Sequence, residues 1–280
     1  KKKKKDFFLR IDDTDKERSK DEFVEAIKDD LSWIGIDFQK IIKQSDRLNV
    51  YKGIFDHLKN KGLIYPCFET SEELSLKRKV LLKAGKPPIY DRSSLRLTKK
   101  EISNYINEGI KPHWRLKLDE KPINWDDLIH GKISFDNLSI SDPVVFRSDE
   151  MPLFTITSVV DDSEYNVSHI LRGDDHITNT AAQIKLFGYL GAKIPKFGHF
   201  PLMRSKLGSG LSKRDSSFSI REFKSQMISP LVLINYLNKI GTSLSIDEIE
   251  NIERLSENFN LSVFSKNSVL FDNEDLTRLN

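Results

Sequence analysis

Residues 159–183, VVDDSEYNVSHILRGDDHITNTAAQ, contain a predicted strand, a polar turn and a predicted helix in immediate succession. The strand is Val167–Leu171, which is rich in apolar and β-branched residues, and the helix begins near Asn179. Upstream, Leu153–Val160 has a similar composition, and we expect a further strand there. Strands that alternate with helices are typical of a parallel α/β sheet. This segment therefore predicts an α/β fold.

The start of the chain shows the same order of elements. Phe7–Ile11 is a short apolar run that ends in acidic turn residues, which predicts a strand. Ser19 and Glu22 have the spacing of a capping box, and Gly35 is placed for a helix C-cap after residues with helical apolar spacing. We therefore predict a sheet in two pieces, one at the start of the chain and one from residue 153 onward.

The region between the two pieces, residues 68–152, differs from both. It mixes helix signals, such as the Thr70–Glu73 and Thr98–Glu101 capping boxes, with an alternating strand pattern at His113–Leu118. Its prolines include Pro87, Pro88, Pro112, Pro122 and Pro143. We interpret this region as an insertion between the two halves of the sheet.

The end of the chain, from residue 216, has mostly helix signals. Ser229 before Pro230 is a typical helix start, and Ser245 with Glu248 predicts a further capping box. A helical segment is therefore expected to follow the second half of the sheet.

Composition narrows the class of protein. The 280 residues are 38% hydrophobic and 31% charged, and no apolar stretch approaches the roughly 20 residues of a membrane helix. The single cysteine, Cys67, excludes an internal disulfide and a multi-cysteine zinc site. We therefore expect a cytoplasmic protein that does not associate with membranes.

Charge by itself does not identify a partner. The formal net charge is +3, from 45 basic and 42 acidic residues. The basic run Lys1–Lys5 is typical of a solvated segment and less often of a phosphate contact.

Three polar clusters could carry chemistry. The first, Arg10–Asp15 with Arg18, follows a predicted strand, where carboxylates can hold an amino group, a ribose or magnesium. The second, Arg172–His176, also follows a strand, and its arginine could bind a carboxylate through two hydrogen bonds. The third, Lys206–Arg214, is a loop of small residues and cations that could meet phosphates. Each cluster taken alone is more often an ordinary acidic turn, a surface histidine or a flexible surface loop than a functional site.

Several common motifs are absent from the sequence. The six histidines lack the spacing of metal ligands, and neither a Gly-x-Ser-x-Gly elbow nor a Walker A loop is present. No Gly-x-Gly-x-x-Gly motif follows a strand.

The order of the three clusters matches a known family. LRIDDTDKERS (residues 9–19), the 159–183 segment and GLSKRD (residues 210–215) resemble successive motifs of bacterial-type glutamyl-tRNA synthetases. GLSKRD resembles that family's version of the class I KMSKS loop. Shorter segments that also resemble the family are LIYPCFETSEEL (63–74), GKPPIYDR (85–92) and FGHFPLM (197–203). The resemblance covers essentially the whole chain.

The resemblance implies a Rossmann-like catalytic domain that is split by an insertion. The implied segments are catalytic residues 1–67, an α+β acceptor-stem-binding insertion at 68–152, catalytic residues 153–215 and a helical stem-contact domain at 216–280. The family's HIGH motif is expected upstream of residue 1 and the anticodon-binding region beyond residue 280. The implied reaction activates glutamate with ATP and transfers it to tRNA(Glu), with tRNA(Gln) an open alternative.

The resemblance also implies roles for individual residues. Lys213 matches the catalytic KMSKS lysine. ATP binding is assigned to Lys213, Arg214, Leu211, Met203, Leu202 and His176. Glutamate binding is assigned to Arg172, Asp12, Phe154, Ser158 and Asp175, and tRNA binding to Asp15 and Arg18. The implied cofactor is Mg²⁺ with ATP, and the implied assembly is a monomer.

Three positions depart from the family pattern. Gly210 replaces the first lysine of the KMSKS-like loop, Phe154 replaces a tyrosine and Ser158 replaces an asparagine. Some family members bind structural zinc through several cysteines in the insertion. Only Cys67 is present here, so no zinc is expected.

Two alternatives stay open from the sequence. One is the short paralogue that transfers glutamate to a modified tRNA base, which usually has a multi-cysteine zinc site. The other is a non-catalytic tRNA-binding protein, which Gly210 and the missing HIGH motif favour, whereas the presence of Arg172 and Lys213 argues against it.

Overall fold

The computed structural model describes residues 7–15, 17–136, 139–205 and 218–280. The strands are β1 (Phe8–Ile11), β2 (Lys40–Lys43), β3 (Ile64–Cys67), β4 (His113–Leu116), β5 (Ile123–Asp127), β6 (Gly131–Phe135), β7 (Val144–Phe146), β8 (His169–Gly173), β9 (Lys196–Phe200), β10 (Met203–Arg204) and β11 (Val269–Leu270). The helices are α1 (Asp21–Trp33), α2 (Leu48–Asn60), α3 (Ser71–Lys83), α4 (Lys99–Asn107), α5 (Phe154–Glu164), α6 (Ile177–Tyr189), α7 (Ile220–Ser225), α8 (Pro230–Lys239), α9 (Ile252–Asn258) and α10 (Asn273–Leu279).

Three pairs of strands in the described ranges are parallel, and in two of them a single α-helix joins the members. β1 lies beside β2 with Phe8 opposite Lys40, and α1 connects them. β8 lies beside β9 with His169 opposite Lys196, and α6 connects them. These two βαβ units confirm the predicted α/β class, and the carboxyl ends of such strands are the usual place for a ligand.

An antiparallel region lies between the two units. β3, β4 and β7 form one sheet, with Tyr65 opposite Arg115 and Trp114 opposite Phe146, and β5 and β6 form a hairpin. Because β3 ends at Cys67 and pairs with β4, this ladder joins the predicted first segment to the predicted insertion.

The apolar core has two parts. The larger cluster joins α2, α5 and α6 to the antiparallel sheet, and Phe55 meets the rings of Trp114 and Phe146 edge-on. The smaller cluster lies among the C-terminal helices around Tyr236 and Phe271, and Trp33 of α1 packs against it. Burial of these side chains provides the main favourable free energy of folding, at roughly 25 cal/mol per Å² of apolar surface.

The prediction of a strand at Leu153–Val160 is wrong, because these residues begin helix α5. Residues 156–161 of this helix are all buried, so a continuous apolar run hides its periodicity. Ile156, Val159 and Val160 still have the i, i+3, i+4 spacing of a helix face. A buried helix and a buried strand are difficult to distinguish over so short a run.

Two predicted capping boxes are also wrong. Lys20 occupies the N-cap of α1 without a side-chain cap, although Gly35 follows the helix with a φ of 77° as expected. The helix predicted near Ser245 begins instead at Ile252, after the N-cap Asn251.

The segment before α9 is held by side chains of α8. Buried Asn235 bonds both the N–H and the C=O of Glu250, and buried Lys239 donates to the carbonyl oxygen of Glu248. Because the backbone groups of Glu248 and Glu250 bond to side chains of α8, they do not form the hydrogen bonds of a helix that begins near Ser245.

Three predicted helix starts are confirmed. The Thr70–Glu73 and Thr98–Glu101 pairs both form complete capping boxes. Ser229 is the N-cap of α8, with Pro230 in its first turn. In the described ranges, no helix is both long and apolar enough to cross a membrane.

Two exposed glycines of the α2 region should respond oppositely to alanine. Gly53 lies inside α2 with open space where an added methyl group would point, whereas Gly62 follows the helix at a φ of +66°. Gly53→Ala should therefore stabilise the fold by about 0.5–1 kcal/mol, and Gly62→Ala should destabilise it by about 1–2 kcal/mol. Urea unfolding of the two variants measures both changes in the free energy of unfolding. Equal effects would contradict the placement of Gly53 inside the helix and of Gly62 in the left-handed turn after it.

Candidate active site

Arg10 lies at the carboxyl end of β1 among three carboxylates. Its Nε donates to Asp12 Oδ1 at 2.9 Å and its Nη1 to Asp162 Oδ1 at 2.8 Å, while Asp161 Oδ2 lies 3.8 Å from Nε. Burial opposes the charge of Arg10, but Asp12 and Asp162 outweigh it and raise the pKa of the guanidinium. The first sequence cluster is therefore joined to the Asp161–Asp162 pair of α5.

Asp161 is a fully buried carboxylate with three close donors. It accepts hydrogen bonds from Gln44 Nε2 at 2.8 Å, Arg47 Nε at 2.9 Å and Tyr51 OH at 2.8 Å. These donors come from the 3-10 turn after β2 and from α2, more than 100 residues earlier in the chain. The hydrogen bonds of Asp161 therefore fix α5 against α2 and the turn that follows the first βαβ unit.

Arg172 lies at the carboxyl end of β8 in a pocket of neutral groups. Its Nη2 donates to Thr180 Oγ1 and to Gln183 Oε1, the latter at 2.6 Å. Its Nε lies 3.5 Å from His199 Nε2, and its guanidinium lies 5.6 Å from the ring centre of Phe197. These contacts fix the plane of the guanidinium.

The charge of Arg172 has no ion-pair partner among the described residues. Burial lowers the pKa of its guanidinium to about 10, and Asp162 and Asp175 only partly oppose this effect. The group stays charged at neutral pH, and no described residue bonds its Nη1. A half-buried cation of this kind can bind an anion, because two parallel hydrogen bonds would then form with its fork.

His176 and Phe154 lie beside this arginine. Their ring centres are 5.5 Å apart, and Asp175 Oδ2 lies 3.9 Å from His176 Nε2. Burial, followed by the nearby charge of Arg172, lowers the pKa of His176, so its ring is neutral at neutral pH. The structure thus brings together four of the predicted site residues, Arg172, His176, Asp175 and Phe154.

Ser158 lies behind these residues. It is buried, its Oγ donates to the carbonyl oxygen of Phe154 at 2.6 Å, and it accepts from Gln183 Nε2 at 2.7 Å. Ser158 therefore contacts Arg172 only through Gln183.

Leu202 and Met203 lie where the second βαβ unit meets the C-terminal helices. A Cβ atom on Gly173 would lie 3.2 Å from a methyl group of Leu202, which places Leu202 next to the end of β8. The carbonyl oxygens of Leu202 and Arg204 both accept from the strand that contains Val269. Because successive residues of a strand point their backbone groups to opposite edges, those of Met203 face away from that strand.

The remaining predicted site residues fall into two groups. Lys213, Arg214 and Leu211, with Gly210, lie outside the described residues. Asp15 and Arg18 form an exposed turn, with a 3.8 Å ion pair and a hydrogen bond from Arg18 N to the carbonyl oxygen of Asp15.

The cysteine of the predicted insertion has a carboxylate and a cation close by. Cys67 Sγ lies 3.2 Å from Glu69 Oε2, and Lys77 Nζ donates to the other oxygen of Glu69. Burial would raise the pKa of Glu69, but hydrogen bonds from Lys77, Tyr90 and Cys67 lower it to about 2. Lys77 therefore already supplies a positive charge here, and the absence of zinc stays a prediction.

Within the described ranges, no group of three or more His, Cys, Asp or Glu side chains is arranged to hold a metal ion. Magnesium that enters with a nucleotide can nevertheless be held largely by phosphate oxygens and water.

The sequence patterns did not identify Thr180, Gln183 and His199 as part of the site. Thr180 and Gln183 lie four and seven residues after His176, which places all three on one face of α6. That spacing could have indicated two of the missed residues. His199 is paired with Arg172 only through the register of β8 and β9.

Comparison with known proteins gives consistent matches. The family model described as "tRNA synthetases class I (E and Q), catalytic domain" matches residues 1–278. Two similar proteins, each 43% identical over 275 residues, are named glutamate–tRNA ligase 1 from Maricaulis maris (strain MCS10) and glutamate–tRNA ligase from Azospirillum brasilense. Each match covers 98% of this chain and 62% of the relative.

A solved structure has a similar fold. It is a glutamate tRNA ligase from Elizabethkingia meningosepticum CCUG26117 in complex with its amino acid, with a TM-score of 0.82 and 26% identity. The match covers 98% of this chain and 62% of that one. The chain therefore spans about 62% of the length of these relatives.

The two carboxylates that contact Arg47 should differ sharply in their effect on stability. Asp161→Asn replaces an acceptor oxygen of a fully buried carboxylate with an amide N–H that faces donors. We expect a loss of about 3–5 kcal/mol in the free energy of unfolding. Glu164→Gln alters the half-exposed partner of the same arginine and should cost less than about 1 kcal/mol. Denaturant unfolding compares them, and similar losses would contradict a central role for Asp161.

Proposed function

The chain belongs to the catalytic-domain family of the class I tRNA synthetases for glutamate and glutamine, and on this basis we propose that it carries the aminoacylation site of a glutamate–tRNA ligase. The names of relatives that are 43% identical over 98% of the chain support this proposal. In the reaction, the α-carboxylate of glutamate attacks the α-phosphate of ATP and pyrophosphate leaves. A terminal ribose hydroxyl of tRNA then attacks the acyl carbon, and AMP leaves.

The observation that carries the proposal is that the charge of Arg172 has no ion-pair partner among the residues that the structure describes. Its guanidinium is half-buried and held by neutral side chains, and no described residue bonds its Nη1. We propose that it binds the side-chain carboxylate of glutamate, with Phe154 and Asp175 at the same site and Ser158 behind it. A neutral side chain such as that of glutamine would leave this charge unbalanced, so the site favours an anion.

The opposite side of the site suits the amino group and the nucleotide. Asp12, held by Arg10, supplies a negative charge for the amino group of glutamate. The outward-facing backbone of Met203, together with Leu202, is suited to an adenine edge, and neutral His176 to a nucleotide phosphate or base. Lys213, Arg214 and Leu211 complete the proposed ATP site, with Mg²⁺ on the phosphates. These groups position the reactants and stabilise developing charge.

The wider organisation is proposed as follows. Residues 1–67 and 153–215 form the catalytic domain, 68–152 the acceptor-stem-binding insertion and 216–280 the stem-contact domain. The exposed Asp15–Arg18 turn would lie near the tRNA acceptor end. The proposed partners are tRNA(Glu), ATP and L-glutamate, and the proposed form is a cytoplasmic monomer.

Arg172→Gln tests the proposed glutamate contact. In the full-length protein, with tRNA present, glutamate-dependent ATP–pyrophosphate exchange should lose about 100-fold or more in kcat/KM for glutamate. Two charge-assisted hydrogen bonds are lost, each worth about 1.5–3 kcal/mol, and about 1.4 kcal/mol corresponds to tenfold. Arg254→Gln is the matched control, because that side chain is 73% exposed, and it should match the wild type. An unchanged kcat/KM in Arg172→Gln would exclude the assignment.

Lys213→Ala separates an enzyme from a non-catalytic tRNA-binding protein. If Lys213 stabilises charge on the ATP phosphates, the variant should lose tRNA charging by about 100-fold or more while its tRNA affinity stays within about twofold. Charging assays and filter binding on the same preparation measure the two quantities. Charging that is undiminished in the variant would favour the non-catalytic alternative.

A further inference from the structure

A buried carboxylate–imidazole pair lies behind Arg172. Asp127, the last residue of β5, and His199 of β9 are both fully buried in their side chains, and Asp127 Oδ2 lies 2.5 Å from His199 Nδ1. The other oxygen of Asp127 accepts the backbone N–H groups of Ile129, His130 and His199. Burial would raise the pKa of Asp127, but the hydrogen bonds from His199 and from the three N–H groups hold that pKa far below its usual value. The carboxylate therefore stays ionised.

The other ring nitrogen of His199 faces two donors of the site. Thr180 Oγ1 lies 2.7 Å from His199 Nε2, and Arg172 Nε lies 3.5 Å from the same atom. Because Arg172 Nε–H can only donate, Nε2 must be the acceptor and the ring proton must be on Nδ1, facing Asp127. Asp127 therefore determines which tautomer His199 adopts.

Thr180 lies between His199 and the guanidinium of Arg172 and contacts both. Its single hydroxyl proton has two acceptors within reach, His199 Nε2 at 2.7 Å and the carbonyl oxygen of His176 at 3.1 Å. When the proton points to the nearer acceptor, His199 Nε2, the lone pairs of Oγ1 are free to accept from Arg172 Nη2. Thr180 is fully buried, so water cannot replace this contact. Gln183, fixed by Ser158, is the second acceptor of Nη2. The guanidinium is thus held at Nη2 and Nε, and no residue in the described part of the chain bonds its Nη1.

We propose that Asp127 and His199 are positioning residues for Arg172 and act on it through the Thr180 hydroxyl. This inference rests on the proposed function, because it assigns them the task of aligning Arg172 with the glutamate side-chain carboxylate. It also makes the β5–β6 hairpin, within the predicted insertion, a part of the amino-acid site. Both side chains are fully buried behind Arg172, so loss of the pair should weaken glutamate binding rather than the chemical step.

Thr180→Val and Thr180→Ser provide the main test, in the full-length protein. Valine keeps the shape of threonine and removes the hydroxyl, whereas serine keeps the hydroxyl. In ATP–pyrophosphate exchange with tRNA, Thr180→Val should raise the KM for glutamate about tenfold, with kcat and the KM for ATP within about twofold of the wild type. Thr180→Ser should stay within about twofold in all three, and thermal unfolding should show both variants folded.

Asp127→Asn gives a spectroscopic test that a purely structural role would not pass. If the amide oxygen of the new side chain accepts the three backbone N–H groups, the amide NH₂ faces His199 Nδ1. Because NH₂ can only donate, Nδ1 must then accept, and the ring proton moves to Nε2. Long-range ¹H–¹⁵N spectra of histidine-labelled protein should show His199 protonated on Nδ1 in the wild type and on Nε2 in the variant. The KM for glutamate should rise by a similar factor, with the KM for ATP unchanged.

The outcomes separate this inference from the proposed function. Wild-type protein without glutamate-dependent exchange would overturn the proposed function, and the inference with it. Active wild type with an unchanged KM for glutamate in Thr180→Val would overturn the inference alone. Equal losses in Thr180→Val and Thr180→Ser, or a parallel rise in the KM for ATP, would also overturn it, because the hydroxyl would not be the cause. If Asp127→Asn does not fold, the Thr180 pair still decides.

Discussion

The buried carboxylate of Asp161 is the interaction on which the arrangement of the two halves depends. Removing an ion from water costs several kcal/mol, and this cost is offset only when close hydrogen bonds and opposite charge replace the water. Asp161 has three such hydrogen bonds, from Gln44, Arg47 and Tyr51, which belong to the turn after β2 and to α2. Because α5 leads directly into β8, fixing Asp161 also fixes the end of β8, where Arg172 lies.

The neighbouring carboxylate, Asp162, has a different position and a different effect. It bonds Arg10 at 2.8 Å and also lies near enough to Arg172 to raise its pKa. Burial raises the pKa of Asp162 itself, and Arg10 opposes that rise. These adjacent residues of α5 therefore have different roles. Asp161 holds the two halves of the sheet together, whereas Asp162 sets the charge balance between Arg10 at the end of β1 and Arg172 at the end of β8.

The features predicted correctly from the sequence are those whose defining contacts lie within a few residues of one another in the chain. The Thr70–Glu73 box needs only its own first turn, and the strand at residues 8–11 ends at its own acidic turn. The helix at 154–164 was mistaken for a strand because burial on all sides removes its polar face. The pairing of Asp127 with His199, 72 residues apart, depends on how the hairpin packs against β9, and no local pattern encodes that contact.

In the proposed glutamate site, the neutral side chains that hold Arg172 would make the site selective for an anion. Thr180, Gln183 and His199 hold the guanidinium by hydrogen bonds, and no carboxylate among the described residues forms an ion pair with it. A carboxylate in any of these positions would pair with the arginine, and a ligand would then have to displace it. The protein instead accepts the cost of a partly buried cation, visible in the lowered pKa of Arg172, and a bound anion removes that cost. The proposed affinity for an acidic side chain would therefore follow from the lack of a carboxylate in the described contacts as much as from the arginine itself.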